Sequence, residues 1–256
     1  MPTPGEAGPG AQKLKDRVAV VTGGSSGIGA ACVRALAAEG ARVVIGYHRG
    51  EERAEALRAS LPGGGHRCVS LSLTDSATHT QLARTLESEV GRVDILINSA
   101  GFTKRIAHKD LEQLDPALFN EILLANAGGT YSVIRALVPL LKASKDAVVV
   151  SVSSISAFTG SGSSIAYCAA KAALDTMTMS LARAHGPVRF LCVSPASVDT
   201  DFIPGRDRVE LEKKAAQTPL GRIVTPEDVA LAALACITHL RTATGTRMVI
   251  DGGYQL

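Results

Sequence analysis

The sequence has no tryptophan, and its four Tyr and five Phe leave aromatics at only 4%. A chain this poor in rings carries no platform for stacking bases. It also lacks a charge excess. Its 27 basic and 24 acidic residues balance to +3, which excludes a broad nucleic-acid surface. No apolar run approaches the ~18 residues of a membrane span. Cysteines are few, odd in number and scattered. Cys32, Cys68, Cys168, Cys192 and Cys236 contain no Cys-x-x-Cys pair and read as reduced thiols of a cytoplasmic protein. The six histidines have no ligand spacing, so no metal is expected. Residues 1–14 carry neither a cationic segment nor an apolar one and read as a disordered tail, not a secretory signal.

What is present is alternation. Short β-branched runs stand at Arg17–Val21, Arg42–Ile45, Arg67–Leu71, Val93–Ile97, Ala147–Val152, Val188–Val193 and Arg247–Ile250. Helical patterns separate them, near 27–39, 51–60, 76–90, 111–142, 163–185 and 226–237, with an irregular stretch over 194–222. Runs apolar throughout are buried on both faces. Strand–helix alternation of that kind builds a doubly wound, mostly parallel seven-stranded sheet in one α/β domain, here residues 15–256.

The first strand is followed by Thr22-Gly23-Gly24-Ser25-Ser26-Gly27-Ile28-Gly29. Glycines let the backbone turn sharply, and the helix that begins there offers free N–H groups and the positive end of its dipole to a pyrophosphate. An ordinary strand–helix turn would also use glycine, but this one stands where a dinucleotide site belongs. At the end of the second strand, where an acidic residue would select NAD, stand Tyr47, His48 and Arg49. That basic pair favours the 2′-phosphate of NADP(H), with NAD(H) a possible second cofactor; as an alternative, the pair is a solvated helix entry.

Tyr167 and Lys171 are one helical turn apart and share a face. An ammonium beside a phenol favours the phenolate and equips the tyrosine for proton transfer near neutral pH. Alone, the pair also fits a surface contact. Ser154 follows a strand at its carboxyl end, where doubly wound sheets hold ligands, and could donate a hydrogen bond to a substrate oxygen; alone, it reads as one loop serine among Ser151, Ser153 and Ser156.

Together, Thr22-Gly-x-x-x-Gly-x-Gly29, Ser154 and Tyr167-x-x-x-Lys171 resemble the short-chain dehydrogenase/reductase family. Asn98-Ser99-Ala100-Gly101, Asn126, Pro195-Ala196, Val198, Thr200 and Asp251-Gly252-Gly253 match the family pattern in order along residues 15–256. The resemblance implies a Rossmann fold and a hydride transfer between a nicotinamide cofactor and a carbonyl or secondary alcohol. It implies Tyr167 as acid/base, Lys171 as its electrostatic partner and ribose ligand, Ser154 as the orienter of the substrate oxygen, and Asn126 as the holder of a relay water. It places Ser72 and Leu73 at the adenine, the 98–101 turn and residues 195–200 along the cofactor, and Ser156 and Phe202 at the substrate under a lid of about residues 201–222. It also implies a homotetramer or homodimer.

The chain departs from the pattern at Ser72, where Asp is common, at Ser99 for Asn and at Ala196 for Gly. Lys104, Arg105, His108 and Lys109 read first as a solvated face and otherwise could receive an anionic substrate or a carrier. Acyl-carrier-protein ketoacyl reductases resemble the chain broadly and are the nearest alternative. Pro139 stands where such reductases often carry a docking arginine. A non-catalytic nicotinamide sensor is the alternative of another class, and an epimerase or dehydratase a third.

Overall fold

A computed structural model describes residues 12–203, 205 and 207–256. Most of the expected tail, together with Pro204 and Arg206 of the expected lid, lies outside these residues. Seven strands form one sheet: β1 (Val18–Thr22), β2 (Arg42–Tyr47), β3 (Arg67–Ser70), β4 (Ile95–Asn98), β5 (Val148–Val152), β6 (Arg189–Pro195) and β7 (Thr246–Ile250). Their order is β3-β2-β1-β4-β5-β6-β7, and every pairing is parallel. The order reverses between β1 and β4. A doubly wound sheet opens a crevice at such a reversal, at the carboxyl ends of its strands.

The helices are α1 (Gly27–Ala38), α2 (Glu51–Ser60), α3 (Ser76–Glu89), α4 (Pro116–Leu123), α5 (Gly129–Lys142), α6 (Ser156–Thr159), α7 (Ile165–Ala184), α8 (Arg208–Ala215) and α9 (Pro226–Thr238). β1, β4, β5 and β6 are buried along their whole length, as their unbroken apolar runs require. Two cores result. One face packs β-strand valines and isoleucines against α1 and α9, through Val33, Leu36, Val229 and Ile237. The other packs them against α3 and α5, through Leu82, Leu86, Val133 and Leu137. Arg189 begins β6 buried and donates to the carbonyls of Cys236, Ile237 and Leu240 at 2.8–3.2 Å, closing the carboxyl end of α9.

Several expected boundaries move, each for a local reason. The domain begins before residue 15. Leu14 is 1% exposed within the first core, and its N–H donates to the Glu39 carbonyl at 2.9 Å. The helical pattern expected over 111–142 starts only at Pro116, because the Asp115 carboxylate accepts from the Leu118 N–H at 2.8 Å and caps α4 there. That pattern is also broken by a π-turn at Leu124–Gly128, where the Gly129 N–H reaches back to the Leu124 carbonyl. The stretch expected to be irregular contains α8, capped by Asp207 through the Glu210 N–H at 3.0 Å. Its low apolar content hid its period.

Candidate active site

Thr22 ends β1 and ties the crevice together. Its hydroxyl oxygen accepts from the Ser99 and Ala100 N–H groups, both at 3.1 Å. This joins the first turn to the 98–101 turn across the reversal point. Gly23 has φ +65°, and a Cβ there would lie 2.9 Å from the Ala100 Cα, so glycine is required on both counts. A Cβ on Gly29 would lie 2.2 Å from the Gly23 carbonyl oxygen, which fixes how tightly α1 leaves the turn. Ser26 precedes α1 without capping it by its side chain. That uncapped start, with Gly27 approaching Thr200, suits a phosphate in place of a side-chain cap. The residues present therefore fit a dinucleotide.

At the end of β2, Tyr47 is half-buried while His48 and Arg49 are exposed. The Tyr47 phenol is pushed up by burial and by its hydrogen bond to the Glu51 carboxylate. Sequence reading missed Arg53. Its guanidinium lies with the Ser25 hydroxyl around Gly50, where a Cβ would meet both within 2.9 Å. Its signal is its place one helical turn past Arg49, but only the packing of Gly50 brings it to the glycine turn. Ser72 and Leu73 lie in the loop after β3. His79, fully buried, donates from Nε2 to the Ser72 carbonyl at 2.7 Å, since a carbonyl only accepts, and its Nδ1 meets the Ser132 hydroxyl at 2.8 Å. Leu73 rides over the start of α5, where Gly129 leaves room for its carbonyl.

A cavity of about 450 Å³ opens at the carboxyl ends of β4, β5 and β6. It is lined by Ile28, Ser99, Gly101, Ser154, Ser156, Tyr167, Lys171, Pro195, Ala196, Val198, Thr200 and Phe202. Ser164 caps α7 through the Tyr167 N–H at 3.2 Å, which sets the helix register and turns Tyr167 and Lys171 to the cavity. Lys171 is buried. Its Nζ donates to the Val152 carbonyl at 2.7 Å and sits 5.5 Å from the centre of the Tyr167 ring. One acceptor uses one of its three protons and leaves two. Burial pulls the Lys171 ammonium down to about 8. The Ser154 hydroxyl donates to Ser156 at 3.1 Å and accepts from the Ser156 N–H at 3.1 Å. The Phe202 ring leans over Tyr167 at 6.0 Å between centroids.

Asn126 lies in the π-turn and is 1% exposed. Its amide nitrogen donates to the carbonyls of Phe102 at 2.6 Å and Ile122 at 2.8 Å, while its side-chain oxygen takes the Phe102 N–H at 3.3 Å. Both amide protons are spent on the backbone, so a water held here would use the main-chain carbonyl, which already receives the Thr130 hydroxyl at 2.8 Å. A Cβ on Gly101 would lie 2.7 Å from the Asn126 side-chain oxygen.

Over the cavity mouth, Arg105 grips Glu210 of α8 with two nitrogens, at 2.8 and 3.1 Å, and Lys214 joins at 3.0 Å. All three line the cavity, as do Arg222 and Tyr254. Lys104 and Lys109 are exposed. No group of three or more histidine, cysteine, aspartate or glutamate residues among the described residues could hold a metal, and no described helix is long and apolar enough to cross a membrane.

A family model described as enoyl-(acyl carrier protein) reductase matches residues 23–255. The chain belongs to the short-chain dehydrogenase/reductase family. It is thus an oxidoreductase of a family that uses nicotinamide cofactors and small-molecule substrates. A Streptomyces violaceoruber protein named as a ketoacyl reductase of granaticin polyketide synthase is 38% identical, over 93% of this chain and 96% of its own. Cis-4-hydroxycyclohexanecarboxylate dehydrogenase of Sinomonas cyclohexanicum is 34% identical, over 95% and 98%. The crystal structure of a dehydrogenase/reductase from Sinorhizobium meliloti 1021 superposes with a TM-score of 0.85 at 31% identity, covering 96% of this chain and 98% of that one.

Proposed function

We propose that this protein transfers a hydride between NADP(H) and the carbon of a ketone or secondary alcohol, with Tyr167 as the acid/base. The observation that carries the reading is the meeting of Tyr167, Lys171 and Ser154 on one cavity beside the reversal of the sheet. The nicotinamide, when bound, supplies or accepts the hydride. The rest falls to the chain. In reduction, the Tyr167 hydroxyl gives its proton to the carbonyl oxygen; in oxidation, its phenolate takes the alcohol proton. The Lys171 ammonium, 5.5 Å from the centre of the Tyr167 ring, favours the phenolate. Its two remaining protons are free for ribose hydroxyls. Ser154 turns its hydroxyl from Ser156 to the substrate oxygen. Asn126 holds the 101–102 segment and offers its main-chain carbonyl to a relay water. Phe202 and Ser156 border the substrate.

Thr22, Gly23, Ser25, Ser26, Gly27, Ile28 and Gly29 would hold the pyrophosphate, with Asn98, Ser99, Ala100, Gly101, Pro195, Ala196, Val198 and Thr200 along the cofactor and Ser72 and Leu73 at the adenine. His48 and Arg49, exposed and joined by Arg53, support the 2′-phosphate; Glu51, tied to Tyr47, is the nearest opposing charge. Titration with NADPH and NADH tests the choice. Tighter NADPH binding supports it, and equal or tighter NADH binding overturns it.

Ketoacyl-thioester reduction is the second reading. It is favoured by the name of the Streptomyces relative and by Arg105 and Lys214 at the cavity mouth. A panel of simple ketones, ketoacyl thioesters and free 3-ketoacids, followed at the NADPH absorbance, separates the two. Binding of cofactor without turnover of any panel member would favour a sensor. We further propose a cytoplasmic homotetramer or homodimer; the five free thiols support the compartment.

A further inference from the structure

One turn further along α7 from Lys171 stands Asp175. It is 8% exposed, and both of its oxygens are engaged. The Ser153 hydroxyl donates to one at 2.6 Å and the Arg247 guanidinium to the other at 3.0 Å. Ser153 is the neighbour of both Val152, whose carbonyl holds Lys171, and Ser154. Arg247 reaches in from β7 with its guanidinium 4.5 Å from the centre of the Phe158 ring, on α6. Nothing in the hydride chemistry uses this network, and a buried carboxylate is costly to keep without a purpose or a partner.

We propose that Asp175, held by Ser153 and Arg247, is a positioning residue whose negative charge keeps Lys171 protonated inside the fold.

The inference takes the role of Lys171 from the reading above. Lys171 is stripped of water, which disfavours its charge. Its titratable neighbours are few among the described residues. Tyr167 and Asp175 face it from α7, Cys192 faces it from β6, and Arg247 of β7 acts at one remove through Asp175. α6 and the π-turn contain no charged residue, and Glu121 of α4 is exposed to solvent. Cys192 is no anion at working pH, since burial pushes its thiol up to about 12. Among the described residues, the carboxylate of Asp175 is therefore the anion that offsets the loss of hydration. It also stands in a chain of bonds running from the outer strand of the sheet to the catalytic loop.

The chain carries nine lysines, and labelling their Cε carbons with 13C lets each ammonium be titrated by NMR. The signal lost in Lys171→Arg is assigned to Lys171. Asp175→Asn removes the anion and leaves the guanidinium uncompensated, so the Lys171 midpoint is expected to fall by about one pH unit, a tenfold loss of proton affinity. Arg247→Gln leaves the anion and removes the cation, so the midpoint is expected to rise. Opposite shifts are the signature, because loosened packing would move both variants the same way. Arg247 is partly exposed, so its variant folds even where Asp175→Asn does not. An Arg247→Gln midpoint that stays or falls, or an Asp175→Asn midpoint within about 0.3 unit of the parent, overturns the proposal. The titration needs no substrate, so a failure of the reductase reading shows separately, as an absence of turnover. Where a ketone turns over, the alkaline limb of kcat should move with the NMR midpoint in each variant.

Discussion

Tyr167 does its proposed work with one oxygen atom. Tyr167→Phe deletes that atom and keeps the ring against Phe202. Turnover of any ketone should fall about 10²–10⁴-fold, the usual worth of a positioned acid/base, while NADPH binding followed by fluorescence persists. Unchanged turnover would move the proton source elsewhere. In the proposed reading, His48 and Arg49 serve binding, not the proton. Arg49→Ala should weaken NADPH by about tenfold and leave NADH unchanged, read from paired titrations. Much of this was legible residue by residue, since the Tyr–Lys spacing and the glycine turn are local in sequence. Asp175 and Arg53 were not. Nothing in a one-dimensional pattern says that Arg247 from the last strand, or Ser25 from the first turn, will stand beside them.

Strands are legible in the sequence where apolar residues run unbroken, as along β1 and β5, and the ends of helices are obscure where polar chemistry sets the limits. Asp115 stops the expected helix from starting at Leu111, and Asp207 starts one in a stretch without apolar period. Both are caps, and a cap competes with every other turn an aspartate can make. α8 also carries a prediction. Its Glu210 is bound by Arg105 and Lys214, and these two cations hold its carboxylate below the usual range. Releasing the helix with Glu210→Gln should change KM several-fold and leave the NADPH affinity unaltered, because α8 lines the cavity and not the glycine turn. A matched change in both would place α8 over the cofactor instead.

The whole molecule answers to pH through groups that folding dries. Burial pushes the thiols of Cys32 and Cys192 up to about 12 from an ordinary value of 9.0. Between those values the unfolded chain has lost protons that the folded chain keeps, so stability falls as pH rises. Lys171 works against this. Its value is lowered from 10.5 to about 8, so the folded state sheds its proton first and gains stability over that window. With Cys68, whose thiol is also pushed up to about 12, three thiols outweigh one ammonium above pH 9. The urea midpoint should decline there, and the decline should be shallower in a Cys32→Ala, Cys192→Ala double variant despite its lower stability at pH 7. An equal slope would refute the assignment. Leu14 tests the amino-terminal limit of the fold. Leu14→Ala should cost about 2–5 kcal/mol in a denaturant titration, as for other core leucines; no loss would restore the later boundary.

The strand order has its own consequence in time. A ribosome releases β1, β2 and β3 first, and these three can join as soon as they emerge, because they are neighbours in the finished sheet. The other half of the crevice waits for β4 to add to the far side of β1, and β7, which brings Arg247 to Asp175, leaves last. A chain stalled before residue 246 thus carries the glycine turn, Tyr167 and Lys171, and yet lacks the strand that braces them. Messages cut short there should yield proteins that dye-affinity columns for nucleotides can still retain, with no turnover to show for it.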